Sequence, residues 1–93
     1  MAKVFLDGLL VAQTAADRAV IDLYLEDHIA LTRAEPGCLK FEVFEDPKKR
    51  NVFIVSEIFD SESSFDAHQE RSKNSEWGKV SEKLERKFTK RIE

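Results

Sequence analysis

Residues 38 to 46 and 52 to 59 are two runs of alternating side chains separated by the polar stretch Asp46-Pro-Lys-Lys-Arg-Asn51. A turn this short can join two strands only as an antiparallel hairpin, because a parallel pair needs a crossover of a dozen or more residues. Strand side chains repeat every two residues, so Leu39, Phe41 and Val43 share one face of the first strand, with Lys40, Glu42 and Phe44 opposite. In the second strand Val52, Ile54 and Ile58 lie opposite Phe53, Val55 and Phe59, and Asn51 and Glu57 fall on the face of Phe53 and Val55.

The flanking segments fit around that hairpin. Residues 3 to 12 are apolar and β-prone through Val4, Phe5, Leu6, Leu9, Leu10 and Val11, a pattern expected of a strand buried on both faces. Thr14 and Asp17 resemble a capping pair, and a helix over about 15 to 34 follows, its stripe formed by Ile21, Tyr24, Leu25, His28, Leu31 and Thr32. Pro36 and Gly37 stop it, the glycine by permitting the reversal. Asp60-Ser-Glu-Ser-Ser offers N-capping groups for a helix over 61 to 71, with Phe65 and His68 on one face. A polar loop over 72 to 76, a short helix from about 75 to 84 and a closing strand from Arg86, with Phe88, Lys90 and Ile92 on one side, complete the chain. The order β-α-β-β-α-β, with one extra short helix, specifies an α+β fold: the ferredoxin-like split β-α-β built on an antiparallel sheet.

The 93 residues make a single domain over 1–93, and a domain this small gains stability by association. A net charge of −3, with no strongly basic segment outside the C-terminal tail, argues against nucleic acid as a partner. Asp7 and Gly8 break the first apolar run well short of a signal peptide or membrane span, so no membrane association and a cytoplasmic location are expected. Cys38 is the only cysteine, which excludes an intrachain disulfide and a thiolate metal cluster; a half-buried strand position suits it. No metal site, phosphate-binding glycine loop or nucleophile motif is visible.

Glu35-Pro-Gly-Cys-Leu, the Phe41-Glu-Val strand before Asp46-Pro, Asn51-Val-Phe-Ile-Val-Ser-Glu57, and Phe65-Asp-Ala-His68 after Asp60-Ser-Glu-Ser-Ser together resemble the antibiotic biosynthesis monooxygenase domain. The resemblance covers nearly the whole chain. It implies a homodimeric α+β barrel in which two ferredoxin-like sheets pack face to face, each subunit holding a pocket between its sheet and helices. It further implies a cofactor-independent monooxygenase acting with dioxygen on small quinols or hydroxylated aromatics, in the quinol monooxygenase-like branch. The alternative within the same family is an isomerase or ligand-binding member without oxygenase activity. In the polyketide branch a strand asparagine is followed on the same face by a tryptophan, where this chain has Val55. Haem-degrading relatives use an asparagine early in the first strand, where Asp7 and Gly8 stand.

Cofactor-free oxygenation needs an ionised, electron-rich substrate, and a histidine is the side chain best matched to removing that proton near neutral pH. Of the two histidines, His68 is the expected general base or anchor, with His28 either a second pocket residue or a satisfied core histidine. Asn51 either holds a substrate oxygen or serves the turn. Phe53, Phe59, Phe65 and Trp77 either wall a planar substrate or belong to the core. Glu57, in an apolar strand, needs a cation partner, water or a pocket role; Tyr24, one turn before His28, offers a phenol hydroxyl.

Overall fold

The computed structural model describes residues 2–93. Its elements are β1 (Val4–Val11), α1 (Ala15–Arg33), β2 (Cys38–Glu45), β3 (Val52–Phe59), α2 (Glu62–Asn74), α3 (Glu76–Val80) and β4 (Glu85–Ile92). The expected βαββαβ order is present, with α3 as the extra helix. The sheet order is β2-β3-β1-β4, and every neighbouring pair is antiparallel. Among the described residues no helix is long and apolar enough to cross a membrane.

Local chemistry sets the boundaries. The Thr14 hydroxyl oxygen accepts from the Asp17 amide (3.1 Å) while Asp17 accepts from the Gln13 amide (2.9 Å), so two otherwise unpaired donors at the start of α1 are satisfied reciprocally. Ser61 does the same for α2 by accepting from the Ser64 amide (3.1 Å). Gly37 serves closeness rather than reversal: it has no positive φ, but a Cβ there would meet the Ser64 side chain at 2.1–2.3 Å. The reversal residue is Asn51, at φ 69°, a conformation asparagine tolerates better than most residues.

Pairing of Val4 with Phe59, Leu6 with Glu57, Gly8 with Val55 and Leu10 with Phe53 puts these eight residues on one face of the sheet. All three helices pack on that face. Their burial leaves two apolar clusters: Leu10, Ala12, Ile21, Leu25, Phe53, Val55, Trp77 and Leu84 in one, and Val4, Leu6, Phe59 and Phe65 in the other. The seam between them is polar and contains the buried His28, His68 and Glu57.

Four expectations change. β1 is covered on one face only, since Phe5, Leu9 and Val11 lie half-buried on the opposite face with no helix over them. A register irregularity between Cys38 and Lys40 takes Leu39 off the face of Phe41 and Val43 and leaves it exposed. α2 continues to Asn74, absorbing most of the expected 72–76 loop, because Ser72 to Asn74 still extend its hydrogen-bonded turns. α3 is a single turn rather than a helix to residue 84, ending where Ser81 and Leu84 fold into a turn.

Candidate functional site

β3 carries Val55, Glu57 and Phe59 inward in succession, so its alternation necessarily drops a carboxyl group into the seam. α1 brings His28 from its buried stripe, α2 brings His68, and α3 brings Trp77. Val55, Glu57, His28, His68 and Trp77, together with Leu6, Leu10, Leu25, Phe41, Arg86 and Phe88, line a cavity of about 200 Å³. This is smaller than the roughly 300–1,000 Å³ of drug-sized ligand sites and suits a single-ring compound.

His68 is the best-oriented group in it. Its Nδ1 lies 2.9 Å from Glu35 Oε1, and Glu35 is itself held by Arg71, whose Nη2 also donates to Thr32 Oγ1 (2.9 Å). A carboxylate accepting at Nδ1 places the proton there and leaves the Nε2 lone pair available. Nε2 stands 3.8 Å from Glu57 Oε1, too far for a hydrogen bond. Phe59 packs against the ring, tilted by 32° with 4.8 Å between centroids, and limits its rotation. Burial lowers the His68 pKa, and the Glu35 charge and hydrogen bond oppose that shift.

His28 sits 5.8 Å from His68 between ring centroids and stacks on Trp77 at 5.4 Å and 21°. Its Nδ1 is buried without a hydrogen-bond partner, and burial, with the charges of His68, Arg71 and Arg86, brings its pKa down to about 3. At neutral pH it is an uncharged ring presenting an unused nitrogen. Glu57 Oε1 is likewise buried and unpartnered. No lysine or arginine among the described residues pairs with Glu57, which removes the salt-bridge reading. Burial first, then the charges of Glu35 and Asp7, push its pKa up to about 8, so near neutrality it is largely a carboxylic acid. The seam therefore offers one oriented acceptor nitrogen beside one neutral acid. Among the described residues no group of three or more His, Cys, Asp or Glu is placed to share a metal ion.

The structure brings His68, His28, Glu57 and Trp77 together at this cavity and leaves the other candidates elsewhere. Asn51 is not at the cavity: its backbone N–H donates to Glu45 Oε2 (2.8 Å) and its side-chain Oδ1 accepts from Arg18 (3.2 Å), so it ties down the hairpin turn. Phe53 packs in the larger cluster with Arg18 stacked on its ring at 5.1 Å, because its strand position lies nearer the turn than the cavity. Phe65 belongs to the smaller cluster, edge-on to Phe59 at 5.6 Å. Tyr24 lies behind the cavity wall, lining a separate depression with His28 and Trp77.

Glu35, Arg71 and Arg86 were not legible as site residues. Glu35 reads as part of a turn, and only its pairing with His68 across 33 positions reveals its role. Arg71 follows His68 by three residues and so shares its helix face, a usable signal. Arg86 precedes Phe88 by two residues and shares its strand face.

The sequence profile of the family described as antibiotic biosynthesis monooxygenase matches residues 9–79. No curated protein matches the chain. Among similar solved structures, a protein from Pseudomonas aeruginosa has a TM-score of 0.79 at 20% identity, covering 100% of this chain and 95% of its own. One from Bacteroides thetaiotaomicron, described as a candidate oxidoreductase, has a TM-score of 0.76 at 20% identity, covering 99% and 98%. One from Deinococcus radiodurans, described as a candidate antibiotic biosynthesis monooxygenase, has a TM-score of 0.73 at 21% identity, covering 95% and 89%. At these identities the likeness establishes the fold.

Proposed function

The chain belongs to the antibiotic biosynthesis monooxygenase family, and from that premise we propose that it oxygenates small quinols or hydroxylated aromatics with dioxygen, without a cofactor, using His68 as the general base. The observation that carries this reading is the oriented Nε2 of His68, backed by Glu35, at a small cavity lined by both apolar and polar side chains. His68 takes the proton of a ring hydroxyl. The electron-rich anion passes one electron to dioxygen, and the resulting radical pair joins carbon to oxygen. The peroxide anion takes the proton back from His68, and the resulting hydroperoxide loses water, its second hydrogen coming from the carbon that bears the peroxide, which leaves a quinone carbonyl there. The neutral Glu57 donates a hydrogen bond to oxygen as negative charge develops on it. His28, with a pKa of about 3, is too weak a base to lead and serves as an uncharged wall and acceptor.

Dioxygen uptake by the purified protein with a panel of hydroquinones, with and without a chelator, tests this. Uptake stoichiometric with quinone formed and unchanged by chelator is expected. Turnover of a hydroxyketone phosphate under argon, with no uptake on any quinol, would replace oxygenation by isomerisation.

The proposed working unit is a homodimer. The sheet face away from the helices presents Phe5, Leu9, Val11, Val52, Ile54 and Ile58 half-buried and Phe44 exposed, an apolar surface suited to a second copy. Ile54→Lys, at the middle of that face, is expected to turn a dimer into a monomer in sedimentation; a wild-type monomer at micromolar concentration would overturn the assembly.

A further inference from the structure

Arg86 is the one cation that lines the cavity among the described residues. It reaches there because its partner across the sheet is Leu10, which puts it on the helix-covered face of β4. On β4, Lys87 pairs with Glu85, Arg91 pairs with Glu93 and Lys90 lies over the Phe65 ring at 4.9 Å, while Arg86 meets no carboxylate of the described chain and is the one of the four that lines the cavity.

The guanidinium is held at one end only. Nη1 donates to the carbonyl oxygens of Ser81 (2.8 Å) and Leu84 (3.3 Å), and Nη2 donates to Ser81 Oγ (2.8 Å). Ser81 is fully buried, so this anchor is fixed. Five N–H donors minus these three leaves two, on Nε and on Nη2, with no partner among the described residues. Those two point in parallel from the same edge of the plane, the arrangement that receives both oxygens of a carboxylate. The guanidinium charge also reaches the buried cluster, where it is one of the influences lowering the His28 pKa.

We propose that Arg86 is a specificity-determining residue that binds a carboxylate on the substrate, so that the preferred ligand is a single-ring hydroxylated aromatic acid with its hydroxyl at His68 and its carboxylate at Arg86. This rests on the aromatic-substrate reading above and adds the acidic substituent to it. Arg86 is an exposed residue on the edge strand, so a neutral quinol of the same size fills the cavity but leaves its two free donors to water, whereas a carboxylate would engage both.

The test compares 2,5-dihydroxybenzoate with the near-isosteric 2,5-dihydroxybenzamide by titration calorimetry under argon at low salt. The wild type is expected to bind the acid at least about 10-fold more tightly. Arg86→Gln is expected to bring the two affinities together by weakening the acid and sparing the amide, and Arg86→Lys, lacking the planar fork, to restore only part of the preference. Equal affinities in the wild type, no binding of the acid, or a preference that survives in Arg86→Gln would each overturn the proposal. Should Arg86→Gln not fold, the Arg86 Nε–H resonance of the wild type decides: it should shift with the acid and stay still with the amide, and a resonance indifferent to the acid is an overturning result. Dioxygen uptake is read separately. A carboxylate preference without uptake removes the oxygenase reading and leaves this site standing, whereas uptake on neutral quinols with no carboxylate preference does the reverse.

Discussion

His68→Ala is expected to lower quinol-dependent dioxygen uptake by about 10²- to 10⁴-fold, the usual contribution of a positioned general base. The size follows from how completely the site commits to this one nitrogen. Glu35 fixes the tautomer through Nδ1 at 2.9 Å, Arg71 fixes Glu35, and Phe59 limits rotation of the ring. The nearest other ring nitrogens belong to His28, whose pKa of about 3 makes it a poor proton acceptor. His28→Ala should therefore act mainly through lost stacking on Trp77 and leave the pH–rate profile in place. Added imidazole should recover part of the His68→Ala rate, which repair of a merely structural defect would not do. Uptake in His68→Ala equal to that of the wild type would remove the base assignment.

The second large effect lies in stability against pH. Glu57 has a folded pKa of about 8, above its ordinary value of 4.5, so between these values the folded state holds a proton that the unfolded chain has released. Stability then falls as pH rises through this window and levels off above about 8. The histidines act in the opposite sense. His28, lowered from 6.5 to about 3, and His68, also lowered, take up protons more readily when unfolded, so stability falls as pH drops below 6.5. A maximum near pH 6 to 7 results. The alkaline limb should approach at most about 1.4 kcal/mol per pH unit. Urea unfolding from pH 6.5 to 8 should show that limb in the wild type and a much flatter one in Glu57→Gln. Parallel wild-type and variant curves over this range would mean that Glu57 is not a buried neutral acid.

What could be read in advance depended on the range of the interaction. The hairpin, the capping of α1 by Thr14 and the amphipathic stripe holding Ile21, Leu25 and His28 are contacts between residues a few positions apart, and their spacing carries them. Asn51 shows the limit of such reading. It precedes β3 rather than belonging to it, so the two-residue alternation does not reach it, and its left-handed turn geometry with Arg18 keeps it from the cavity. Phe53 and Phe65 face inward as their spacing predicts and still belong to packing, because an inward face is longer than the site it contains.

The sequence by itself determined the order of elements, the antiparallel sheet, the inward direction of His28, His68 and Glu57, and the resemblance that the family match confirms. Only the tertiary structure decided which inward groups meet. Glu35 reaches His68 from 33 positions away, Glu57 falls between two apolar clusters with no lysine or arginine of the described residues paired to it, and Arg86 enters from an edge strand whose neighbours look like solvated charge. Periodicity assigns a side chain to a face, whereas hydrogen bonding and desolvation depend on separations of a few ångströms between segments that only the packed helices and sheet bring together.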